Sequence, residues 1–191
     1  MKKLLLAGVV GGVIMFVWAM LYWAVLGIGS SSMKNTVDET AVAATLKSNL
    51  GPQGVYVLPS MPASQSPADM DAHMKKYEAG PIAMIIYNPS GADPMMTGQL
   101  IGGLILNILT CLVAAWFLSR STASTSSYFS RVAFCGMFGI LVSLASHLLN
   151  WNWMGYPLDY ITKWIVDCVI GFILAGLGIA AFIKPARQSA S

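Results

Sequence analysis

The chain has 191 residues, of which 56% are hydrophobic and only 10% charged. A soluble globular domain carries about 25% charged residues, so this chain lacks the polar side chains to cover a water-facing surface and reads as an integral membrane protein. Its formal net charge of +3 reflects scarcity of both signs rather than a basic run, which leaves no electrostatic case for a nucleic-acid partner.

Four apolar runs, at residues 4–28, 96–118, 132–149 and 161–183, are each near or above the ~20 residues that a helix needs to cross ~30 Å of hydrocarbon. They predict an all-α membrane protein: four transmembrane helices with a small α+β extracytoplasmic domain inserted between helices 1 and 2. The expected boundaries are 1–28 for the first helix, 29–95 for the inserted domain, 96–184 for the other three helices, and a tail at 185–191. The first run follows Met-Lys-Lys, as a signal peptide would, and "GIGSS" at 27–31 has the small residues of a cleavage site. Its apolar core is much longer than the roughly 7–15 residues of a cleaved leader, so the expectation is a retained span.

The inserted segment has its own punctuation. "TVDE" (36–39) is a capping-box pattern with Thr36 as N-cap, and the helix it opens should stop near Gly51. "GVYVLP" (54–59) reads as a strand. Ser66 offers an N-cap with Pro67 at the first helical position, and that helix should end near Gly80. "IAMIIY" (82–87) reads as a second strand. Two short strands and two short helices make a small core, so this segment should lean on the helix bundle, on a second copy or on a partner.

Basic residues set the orientation. Lys2, Lys3, Arg120, Arg131, Lys184 and Arg187 flank the spans on one side, where no acidic residue occurs. The acidic residues Asp38, Glu39, Asp69, Asp71, Glu78, Asp93 and Asp159 lie on the other. This is the positive-inside pattern with both termini cytoplasmic.

Signatures of catalysis are missing: there is no GxxxxGK[ST], HExxH or GxSxG. Cys111, Cys135 and Cys168 fall in apolar runs, too far apart for a zinc knuckle. His73 and His147, the two histidines, fall in the inserted segment and in a span, which argues against a bis-histidine haem. No cofactor or metal is expected. Polar residues inside spans are the remaining pointers. They form a candidate cluster of His147, Asp159, Lys163, Asp167 and Asn107. Asp159, Lys163 and Asp167 recur every four residues and so share a helix face, which predicts that Asp167 is tied to Lys163 and meets His147 across the last hairpin. The same stretch, with Trp151, Trp153, Tyr156, Tyr160 and Trp164, also has the composition of an interfacial anchor. Gly8/Gly12 and Gly98/Gly102 are GxxxG pairs, and Gly171/Ala175 has the same spacing. All three mark close helix packing, within the chain or against another subunit.

"FVWAMLYW" in the first span, "GVYVLP" and "PSGADPM" in the inserted segment, and above all "WNWMGYP" (151–157) resemble a group of bacterial four-helix inner-membrane proteins with a WNWxGYP-type motif before the last span. The resemblance covers nearly the whole chain. It implies this topology and a bacterial inner-membrane location, and it brings no functional residue with it.

The expected function is non-enzymatic: an accessory or scaffold protein that meets membrane lipids and another membrane protein or a second copy. The alternative is a small transporter or ion- or proton-handling protein built on the His147/Asp167 region. An intramembrane enzyme ranks third, since no spacing specifies a nucleophile or an acid–base pair.

Overall fold

A computed structural model describes residues 1–184; the predicted tail at 185–191, with Arg187, lies outside them. The chain divides into two compact units, Lys34–Pro94 and a second made of Met1–Met33 with the chain from Met95 onward.

The second unit holds four helices long and apolar enough to cross a membrane: Lys2–Ser32, Thr97–Arg120, Tyr128–Met154 and Leu158–Phe182. The first is built from α1 (Lys2–Met20), a π-helical turn at Leu21–Val25 and a short 3₁₀ turn at Ser30–Ser32. The next is α4 (Thr97–Arg120). The third comprises α5 (Tyr128–Val142), a second π-helical turn at Ser143–His147, and α6 (Leu148–Met154); the last is α7 (Leu158–Phe182). Gly155 ends α6 in the left-handed region (φ 66°) and Pro157 precedes the first turn of α7. "MGYP" is thus the corner of a helical hairpin: a positive φ suits glycine, and proline cannot continue α6 but can open α7.

Glycines set the packing order, α4–α1–α7–α5. Gly12 of α1 lies on the backbone of Ile108 in α4, and Gly11 lies against Ile179 of α7. Gly178 takes the side chains of Ile14 and Val10, Gly176 abuts Cys135 and Val132, and Gly139 of α5 abuts the backbone at Cys168 and Val169. With no hydrophobic drive between helices in lipid, such close backbone approach provides the dispersion that holds spans together. The buried core, including Ala7, Cys111, Ala115, Leu118, Cys135 and Ile179, gathers at the end that carries Lys2, Lys3, Arg120 and Arg131. There Arg131, itself buried, donates to the carbonyls of Ser126 (2.6 Å) and Ala180 (3.3 Å), neutralising the negative end of α7. Near the start of α4, nothing lies within 4 Å of a Cβ placed on Gly98 or Gly102, while one on Gly103 would meet Phe16 of α1 at 3.8 Å. The outward faces are apolar, with Val13, Val17, Leu106 and Leu141 exposed, and these are the surfaces that meet lipid.

The inserted unit follows the predicted order: α2 (Glu39–Asn49), β1 (Gly54–Leu58), α3 (Pro67–Ala79) and β2 (Ala83–Tyr87). The strands pair antiparallel, Val55 opposite Ile86 and Val57 opposite Met84. Ser66 caps α3 as expected, accepting from the Asp69 amide (3.2 Å) and donating to the Asp69 carboxylate (2.6 Å). These bonds, from Ser66 first and Ser64 second, hold the Asp69 carboxyl below its ordinary range. The cap of α2 differs from expectation. It is Asp38, accepting from the Ala41 amide at 2.9 Å, and not Thr36. A carboxylate two residues further on is the stronger acceptor at the positive end of a helix. No residue of Lys34–Pro94 is buried.

Candidate functional site

Three polar residues of the spans, Asn107, His147 and Asp167, converge on one cavity. Asp167 lies nine residues beyond Leu158, about 14 Å along the helix axis. Asn107 lies ten residues beyond Thr97, about 15 Å along its own. The carboxylate and the amide therefore stand at a similar distance from the starts of their helices. His147, at the end of the second π-helical turn, joins them: Asn107, His147, Trp164 and Asp167 line one cavity of about 180 Å³. A second cavity of about 240 Å³, nearer the α6–α7 corner, is lined by Ser146, Asn150, Tyr156 and Tyr160 and shares His147 and Trp164 with the first. Deeper between α4 and α5, an apolar recess of about 270 Å³ shares Phe172 with the first cavity.

Asp167 is not tied to Lys163. Its Oδ2 accepts from Trp23 Nε1 at 2.8 Å, and neither Asp159 nor Lys163 forms an ion pair with it or with the other. Two further bonds lock the same helices: Trp18 Nε1 donates to the Asp167 carbonyl (3.2 Å) and the Tyr22 hydroxyl to the Lys163 carbonyl (3.1 Å). The donors at 18 and 22 and the acceptors at 163 and 167 are each one helical turn apart, so two facing turns are stitched rung to rung. Trp23 wins the carboxylate because its ring is already fixed. It packs at a tilt on Trp164, ring centroids 4.9 Å apart, and lies against Gly29, where an added Cβ would fall 2.4 Å from the ring. A lysine head would have to give up its rotamer freedom to hold the same position.

The π-helical turn explains how Tyr22 and Trp23, adjacent in sequence, both reach α7. The Leu26 amide bonds to the Leu21 carbonyl (2.8 Å), inserting one residue per turn and swinging Trp23 inward. The matching turn in α5 sets His147 beside Trp164, ring centroids 5.9 Å apart. π-Helical turns concentrate at functional sites; here the first sets the Trp23 donor on Asp167 and the second places His147 in the cavity wall.

The tryptophan-rich stretch divides in two. Trp151 and Trp153 are exposed and suit the interfacial anchor. Tyr156, Tyr160 and Trp164 instead form a chain of rings spaced 5.9 and 6.0 Å that leads from the corner to the Asp167 cavity. Asp159 is exposed and stands apart from both cavities, as does half-buried Lys163. Trp18, Tyr22 and Trp23 are the site residues that sequence reasoning missed. Their signal was two large amphipathic rings at i and i+4 with a third adjacent, whose N–H and O–H groups need partners once buried.

Cys111 and Cys135 are buried and Cys168 half-buried, and Cys168 Sγ sits 3.6 Å from the Gly139 carbonyl. Among the described residues no three His, Cys, Asp or Glu side chains come together in a way that could hold a metal ion. His73 lies in α3 of the other unit. Comparison with protein-family models, with curated proteins and with solved structures gives no match.

Proposed function

We propose that this chain is a non-enzymatic accessory or scaffold protein of the bacterial inner membrane, of the group that "WNWMGYP" resembles, and that its inserted unit is a periplasmic contact module. The observation that carries this reading is the outer face of the small sheet. The register places Val55, Val57, Met84 and Ile86 on one face, and they are 64%, 52%, 37% and 78% exposed. An antiparallel sheet with one face toward solvent normally alternates apolar-in with polar-out. An apolar face left open, on a unit with no buried residue, is the mark of a surface that another protein covers. A photo-crosslinking side chain at Ile86 should give one adduct of constant mass in native membranes, whereas the same probe at exposed Lys76 should give none. A bare monomer band from Ile86 would overturn the reading.

Positive-inside charge supports the orientation, with both termini cytoplasmic. Once the three native cysteines are replaced, a cysteine at Ser64 should react with an impermeant maleimide in intact spheroplasts. One at Thr125, in the loop between α4 and α5, should react only after lysis. The opposite pattern would invert the topology.

One observation favours a second reading, an ion- or proton-handling protein: Asp167, His147 and Asn107 open onto a single cavity near the middle of the spans.

A further inference from the structure

We infer that the Asp167 cavity is a binding site for a protonated amine, reached from the α6–α7 corner through the chamber that His147 and Trp164 share with it. The inference rests on the second reading above and gives it a ligand class. Three features on different elements carry it. First, Asp167 lines the cavity with neutral indole N–H groups beside it, Trp23 donating to Oδ2 at 2.8 Å and Trp18 to the backbone carbonyl at 3.2 Å. Among the described residues no lysine or arginine pairs with it. A carboxylate at this depth is costly unless a charge or a donor meets it. Second, the wall suits a cation. The Trp164 ring lines the cavity beside the carboxylate, with the His147 ring 5.9 Å from it, and aromatic faces attract organic ammonium groups, most strongly where water is excluded. Third, the approach is built for polar cargo. Ser146, Asn150, Tyr156 and Tyr160 line the outer chamber, offering neutral donors and acceptors that solvate an arriving head group without trapping it.

Hydrated inorganic cations fit less well. They need several oxygen ligands, and the inner cavity offers one carboxylate, one amide, the His147 imidazole and mostly apolar wall. Its volume of about 180 Å³ suits a group the size of ethylammonium. Such a group arrives either as a free amine or as the ethanolamine head of a lipid.

The test uses the full chain in nanodiscs of phosphatidylglycerol alone, read by tryptophan fluorescence, since Trp164 lines the cavity. Ethylammonium chloride should give a saturable change that sodium or potassium chloride at equal ionic strength does not, and that neutral ethanol does not. Asp167→Asn keeps an oxygen for Trp23 but loses the charge, and should bind ethylammonium at least about tenfold more weakly. The exposed Asp159→Asn should bind like the parent. In a second arm, native mass spectrometry from mixed nanodiscs should show phosphatidylethanolamine retained over phosphatidylglycerol by the parent and not by Asp167→Asn. Retention would assign the amine to a lipid, whereas saturation by ethylammonium without lipid selectivity would assign it to a free amine. Equal responses to ethanol and ethylammonium in the parent would overturn the proposal whatever the variant does. A saturable response to sodium or potassium alone would overturn the amine while leaving ion handling in place, and no response to any cation would remove the amine and the inorganic ion together.

Discussion

Gly12→Ala and Gly139→Ala are expected to lose most of the folded protein in detergent, while Gly98→Ala and Gly102→Ala leave it intact. The four substitutions are chemically identical and all lie in spans. What differs is the atom that the new methyl group meets. At Gly12 it would fall 2.4 Å from Ile108 Cα and 2.6 Å from Ile108 N; at Gly139 it would fall 2.8 Å from Val169 Cα and 3.0 Å from the Cys168 carbonyl oxygen. Backbone atoms cannot rotate away as a leucine tip can, so the helices must part, and the loss spreads along the α1–α4 or α5–α7 seam. Overpacking costs about 1–3 kcal/mol where side chains yield, and more where backbone must shift; the upper part of that range is expected here. At Gly98 and Gly102 nothing lies within 4 Å, and alanine is a better helix former than glycine by about 1 kcal/mol. Thermal unfolding followed by size exclusion checks both arms. A parent-like melting temperature for Gly12→Ala would mean that α1 and α4 do not pack this way. A drop for Gly98→Ala would mean that α4 uses this face against another subunit.

That contrast also shows where the sequence stops being informative. Gly8/Gly12 and Gly98/Gly102 read identically as GxxxG, and only the neighbouring helix decides which pair is filled. Features decided by local chemistry were legible. These include the four apolar runs, the helix–strand–helix–strand order of the inserted unit, the Ser66–Pro67 start of α3, and its Gly80 stop with φ 65°. Each is fixed by a few adjacent residues. The N-cap of α2 shows the limit even there, since Thr36 and Asp38 both fit a cap and the dipole favours the carboxylate. The polar cluster was half legible. Polarity inside apolar runs flagged Asp167, His147 and Asn107, and they line one cavity. The four-residue spacing misassigned the partner of Asp167, because such a repeat sees only its own helix. The donor is Trp23, 144 positions away, in a span whose aromatic residues passed for membrane apolarity.

The partner of Asp167 carries the second large expected effect. Trp23→Phe keeps a ring against Gly29 and Trp164 but removes the N–H, leaving Oδ2 with no donor from the protein. Asp167→Ala does the reverse and strands the indole. Hydrogen bonds to charged groups contribute about 1.5–3 kcal/mol, and an unsatisfied buried partner costs about 1–3 kcal/mol. Each single change should therefore lower the stability of the α1–α7 seam by an amount in that range. Replacing both, as Trp23→Phe with Asp167→Leu, removes donor and acceptor together and should recover much of the loss, because apolar replacement of a whole buried pair is often close to neutral. Lys163 supplies the control. If the four-residue spacing mattered energetically, Lys163→Met would destabilise the parent and would rescue Asp167→Ala. Since Lys163 makes no ion pair with Asp167, Lys163→Met should be near neutral alone and should rescue nothing. A pair of double-mutant cycles on thermal stability separates the cases: coupling of about 1–3 kcal/mol is expected for Trp23 with Asp167, and a value within about 0.5 kcal/mol of zero for Lys163 with Asp167. The reverse ranking would return the carboxylate to its own helix and remove Trp23 from the site.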